Sequence, residues 1–145
     1  MSSSLSNFTV EMKSEDETVC SVSWILLYRA STSGFHADEF HRACDRMGKC
    51  VVVVKAENGR IAAAYNEDGF TTVGARLSSN LNGFIVSVAE DGKCGEIFHR
   101  NDHEVGIFNH HVCGPDFGGS DMSDLHVSDN CNQNEKSWSL FLIHI

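Results

Sequence analysis

The dipeptide Asn58-Gly59 constrains this chain more than any other feature. It lies in Ala56-Glu57-Asn58-Gly59-Arg60, between the apolar runs Val51-Val52-Val53-Val54 and Ile61–Tyr65. A tight hairpin turn needs left-handed backbone, which Asn and Gly adopt at the least steric cost. Asn-Gly between two β-type runs therefore predicts an antiparallel hairpin. Val19–Tyr28 mixes β-branched, aromatic and small residues and reads as a core strand. Further strands are predicted at Gly83–Val88, Glu96–His99, Val105–Asn109, Ser123–Val127 and Ser137–Ile145, bounded by turns such as Glu90-Asp91-Gly92. One helix stands out, from about His36 to Met47. Its apolar residues Phe40, Ala43, Cys44 and Met47 recur at three- and four-residue steps, Asp38 and Glu39 complement the dipole at its start, and Gly48 ends it. Many short strands with one helix predict an α+β fold: a two-sheet antiparallel β-sandwich with a main helix at about 36–47 and short helical turns. All 145 residues fit a single domain, with 1–17 as a loose N-terminal segment.

Charge narrows the function. Eleven Lys and Arg against twenty Asp and Glu leave a net charge of −9 with no segregated basic patch, which opposes binding to nucleic acid. Trp24–Tyr28 and Val51–Val54 are far shorter than the roughly 20 apolar residues of a bilayer span, so no membrane span is expected. The start, Met1-Ser2-Ser3-Ser4-Leu5-Ser6-Asn7, lacks the basic and apolar regions of a signal peptide, which makes a cytoplasmic location the default and leaves non-classical release as the route outward. Asn7-Phe8-Thr9 is a glycosylation acceptor pattern with meaning only in an exported chain. Six cysteines, Cys20, Cys44, Cys50, Cys94, Cys113 and Cys131, contain no C-x-x-C pair, which argues against zinc. Buried free thiols and disulfides both remain open readings of them.

The order of short motifs carries a resemblance. Leu26-Leu27-Tyr28-Arg29-Ala30-Ser31 and Gly34-Phe35 are followed by Phe40-His41-Arg42-Ala43-Cys44-Asp45, Lys49 before the Val run, and Asn58-Gly59-Arg60-Ile61. Gly83-Phe84-Ile85-Val86-Ser87-Val88, Cys113-Gly114-Pro115-Asp116-Phe117-Gly118-Gly119 and Asp124-Leu125-His126-Val127 complete the series. This ordered set, from about Trp24 to Ser137, resembles the TLDc domain. The resemblance implies a stand-alone, non-catalytic two-sheet sandwich linked to oxidation resistance and, in several family members, to binding the vacuolar proton ATPase. Two departures are visible. About ten residues separate Val127 from Trp138, fewer than the family pattern carries, and the chain ends Leu140-Phe141-Leu142-Ile143-His144-Ile145 without the family's acidic Glu-Val-aromatic ending. Any role that rests on that acid is not carried over.

No phosphate loop, nucleophile elbow or His-Glu-x-x-His motif occurs, so no enzyme is expected. His110 and His111, near Asp102, His103 and Glu104, are metal-donor types, but neighbours in a strand point to opposite faces and cannot share one ion, so no metal is expected there. Cys44 beside His41 suggests a nucleophile, yet the helical register places Cys44 on the apolar stripe, where burial suppresses the thiolate. Asn109–Asn134 is the richest polar segment. Its short polar side chains on Gly-rich loops suit a sugar with vicinal hydroxyls, or calcium as the one cofactor to consider. The candidate ligand-binding residues are Asn109, His110, His111, Asp116, Asp121, Asp124, His126, Asp129, Asn130 and Asn132. The alternative is a solvated loop whose Asn and Asp residues cap turns. Trp24 and Trp138 can stack on a sugar face, though predicted strand positions place them in the core. The leading expectation is a lectin-like carbohydrate-binding module, and a homo-oligomer, since weak sugar sites gain from multivalency. The alternative expectation is a protein-binding module for oxidative-stress protection, acting on the vacuolar proton ATPase. A redox-sensing role for the cysteines comes third.

Overall fold

A computed structural model describes residues 7–13, 19–56, 58–72, 76–77, 82–89, 91–99, 106–118, 123–133 and 138–144. Among these, two antiparallel sheets face each other across one core, the α+β sandwich expected from the sequence. The larger sheet runs in the order β1 (Asn7–Lys13), β2 (Val19–Arg29), β11 (Trp138–His144), β3 (Cys50–Ala56), β4 (Ile61–Asn66), β6 (Phe84–Val88) and β7 (Cys94–His99). The smaller runs in the order β10 (Ser123–Ser128), β9 (Cys113–Gly118), β8 (Ile107–Phe108) and β5 (Arg76–Leu77). Two helices, α1 (Ala30–Ser33) and α2 (Ala37–Cys44), follow β2.

The β3–β4 hairpin forms as expected. Cys50 pairs with Asn66 through to Lys55 with Ile61, the Ala56 N–H donates to the Arg60 carbonyl at 2.8 Å, and Gly59 takes the left-handed position at φ 83°. Alternation sets the inward face: Cys50, Val52 and Val54 of β3, and Leu125 and Val127 of β10, are buried. Between the sheets, Tyr28, Phe40, Phe70 and Phe117 pack edge to face, with centroid separations of 5.7, 5.1 and 6.1 Å along the chain of rings. This geometry suits the ring quadrupoles and joins β2, α2 and β9 in one cluster.

Three expectations need correction. The N-terminal segment is not loose throughout: residues 7–13 pair with β2 from Asn7 opposite Ile25 to Lys13 opposite Val19. Phe8, Val10 and Met12 alternate with polar residues as a strand requires, a pattern that the neighbouring charges obscured. The main helix spans 37–44 rather than about 36–47. Asp45 turns extended, Arg46 takes φ 63° and donates its N–H to the Phe70 carbonyl at 3.0 Å, so a tertiary bond ends the helix before Gly48, and Met47 is exposed. The buried stripe is Ala37, Phe40, His41 and Cys44, with a histidine where only apolar residues were expected. Finally, Cys113–Gly118 is a buried strand inside the segment read as polar loops. Gly and Pro weaken an isolated strand, but here tertiary packing decides. Gly114 lets the chain pass Val127, whose carbonyl would lie 3.3 Å from an added Cβ.

Candidate functional site

Three connections gather polar groups around the start of α2. Asp129, in the turn after β10, accepts the Ala37 N–H at 2.7 Å and so caps α2 from 92 residues away, which His36, at the N-cap position, does not do with its own side chain. Asn130 donates its backbone N–H to the Phe35 carbonyl at 3.0 Å and its side-chain amide to Asp129 Oδ2 at 2.8 Å. His41, 4% exposed, ties α2 to the turn before β9: Nε2 donates to the His110 and Cys113 carbonyls, both at 2.9 Å, while Nδ1 lies 2.7 Å from Asp45 Oδ1. The result is a surface recess of about 200 Å³ lined by His36, Ala37, Asp38, His111, Val112 and Asp129.

The ten expected site residues do not form one site. His111 and Asp129 reach the recess, joined there by His36 and Asp38, which the sequence reading left out. Asn109 is a core residue, 1% exposed, whose Oδ1 accepts the Thr71 N–H at 3.1 Å. His110 lies between the Phe108 ring, 5.6 Å away, and the His111 ring, 4.4 Å away, in a near-parallel stack. The two histidines do not alternate as strand neighbours would, because β8 ends at Phe108 and they sit beyond it with their rings stacked. Asp124 and Asn132 are exposed, and Asn130 braces Asp129. Asp121 lies outside the described residues, as do Asp102, His103 and Glu104.

Asp116 and His126 meet elsewhere, on adjacent strands β9 and β10. His126 Nδ1 and Asp116 Oδ2 are 2.8 Å apart, and the Cys113 thiol joins them so that one ligand-type atom from each lies within 4.8 Å of the others. Cys113 was not among the expected site residues, because its sequence distance from His126 hid the pairing of their strands.

Thiol chemistry is held back by burial. Desolvation, with the Asp116 charge adding to it, pushes Cys113 up to about 11, and desolvation pushes Cys50 up to about 12. Cys44 is raised further still, chiefly by burial, and sits in the core beside Phe40 as the helical register implied. Cys44, Cys50, Cys94 and Cys113 are free thiols, and of these only Cys94 is exposed; Cys131 is buried. Cys94 belongs to β7, the last strand of the larger sheet, and all six β7 residues are exposed. Its large apolar side chains Ile97 and Phe98, 50% and 53% exposed, point to opposite faces because they are neighbours in a strand.

No helix is long and apolar enough to cross a membrane among the described residues. No curated protein matches the sequence. A family model of the TLDc domain matches residues 6–141 of the 145, taking in both sheets, α2 and the Cys113–Gly118 strand that the ordered motifs singled out. The chain belongs to the TLDc domain family.

Proposed function

We propose that this TLDc domain is a non-catalytic, oxidation-resistance-type module that acts by binding a protein, and that the partner adds a strand along β7. The observation that carries this reading is the exposure of Ile97 and Phe98 on a strand that, among the described residues, is the edge of the larger sheet and has no residue buried on either face. A strand edge offers unpaired backbone donors and acceptors, and large apolar side chains beside it favour an incoming extended segment. The net charge of −9 favours a segment that carries basic residues among its apolar ones. Membership of the family makes the vacuolar proton ATPase the first partner to test. The non-catalytic reading is supported by the thiols, since burial keeps Cys44, Cys50 and Cys113 protonated at neutral pH, when a nucleophile would need the thiolate. The test is the affinity of the purified protein for purified pump, measured for the wild type and for Phe98→Glu. Saturable binding that the variant loses supports the reading, while equal binding by both, or none by either, rejects it.

A second reading, carbohydrate binding, is favoured by the recess at the start of α2. There Asp38, His36 and His111 offer hydroxyl partners beside the apolar Val112. Asp129 contributes less, because both its oxygens already accept hydrogen bonds. A glycan array with and without calcium tests this: retention that Asp38→Asn and His111→Ala both abolish supports a sugar site, and a blank array removes it.

A further inference from the structure

We propose that Cys113, Asp116 and His126 form a zinc site on the outer side of the β9–β10 pair, with a fourth coordination position open to water. The sequence argues against zinc because its cysteines are scattered, and Cys113 and Asp116, three residues apart, would face opposite ways in a regular strand. The register removes that objection. Asp116 pairs with His126 and Cys113 with Ser128, so β9 advances three residues while β10 retreats two. The extra residue is a β-bulge, and it falls where Pro115, which has no N–H to give the ladder, is fully buried. The bulge re-aims Cys113 and Asp116 toward His126, which alternates with the inward-facing Leu125 and Val127.

The donor set selects the ion. One sulfur, one imidazole nitrogen and one carboxylate oxygen suit Zn²⁺, which takes such ligands tetrahedrally, whereas Ca²⁺ takes oxygen alone. Tetrahedral bonds of about 2.0–2.3 Å place ligand atoms roughly 3.3–3.6 Å apart. The three atoms already lie within 4.8 Å of one another, and Asp116 and His126 need open by only about half an ångström from their 2.8 Å contact. Cys113 and Asp116 are held by the fold, 5% and 6% exposed, while the His126 side chain is 42% exposed. Three protein ligands with one side open to solvent leave the fourth place for water.

The test uses the purified, untagged protein and metal alone. Zinc titration in competition with a chromophoric chelator should give one equivalent bound. His126→Ala, checked by circular dichroism to be folded, should weaken binding at least tenfold, since losing a ligand costs no less than losing a group that merely orients one. Co²⁺ in place of Zn²⁺ should show a sulfur-to-cobalt charge-transfer band that Cys113→Ser removes and Cys94→Ser leaves. Unchanged affinity in His126→Ala, a band lost with Cys94→Ser, or loss of the metal only with His111→Ala would each overturn the assignment.

Discussion

Replacing Phe40 with Ala should show how far one side chain joins the two sheets. Phe40 is 1% exposed and meets Tyr28, His41 and Phe70 edge to face at 5.7, 5.1 and 5.1 Å. Removing a buried Phe ring forfeits its transfer energy and leaves a cavity, together about 3–5 kcal/mol. A domain of 145 residues unfolds with an entropy of about 300 cal/mol/K near its midpoint, so a loss of about 4 kcal/mol lowers Tm by about 13 °C. Thermal and urea unfolding followed by circular dichroism measure both quantities. A double-mutant cycle with Phe70→Ala then isolates the ring contact, whose coupling should be about 0.5–1.5 kcal/mol. A Tm fall of less than about 3 °C, under about 1 kcal/mol, would refute the view that α2 is clamped between the sheets through this ring.

Other perturbations probe the connections around the recess and the thiols. His41→Ala leaves the His110 and Cys113 carbonyls without their donor and Asp45 without its partner, and should cost about 2–3 kcal/mol in urea unfolding. Asp129→Ala removes the cap on Ala37 and should cost about 1 kcal/mol, most of which Asp129→Asn should restore because an amide oxygen still accepts the N–H. Among the described cysteines, Cys94 should react fast with an alkylating reagent under native conditions and Cys44, Cys50, Cys113 and Cys131 slowly, as mass spectrometry of the labelled protein can read. Cys50 and Cys113 titrate near 12 and 11 in the folded protein and near 9.0 otherwise, so the folded state keeps protons that the unfolded state releases. The stability that these thiols contribute is present below about pH 9 and should decline as pH rises toward 11–12, as urea unfolding across that range can check.

Local signals carried much of the architecture. Asn58-Gly59 placed the hairpin, and apolar runs located β2, β6, β10 and β11 to within a residue or two. Signals that depend on distant parts of the chain were not readable. The helix ends at Cys44 because the Phe70 carbonyl captures the Arg46 backbone N–H, and no residue near Gly48 announces that. The strand Cys113–Gly118 hides behind two glycines and a proline whose strand-breaking tendency is overridden by packing against β10. The same limit explains the scattered site. Asn, Asp and His between 109 and 134 share a composition, but strand pairing sends Asn109 inward, Asp129 to the α2 cap and His126 to Asp116. Without the bulge in β9 the link from Cys113 to His126 has no trace in spacing.

The affinity of purified vacuolar proton ATPase for this protein, compared between the wild type and Phe98→Glu, tests the central claim most directly. The account expects saturable binding by the wild type and its loss in the variant, since the exposed edge of β7 is where the partner strand docks. Binding that ignores Phe98, or no binding at all, contradicts it.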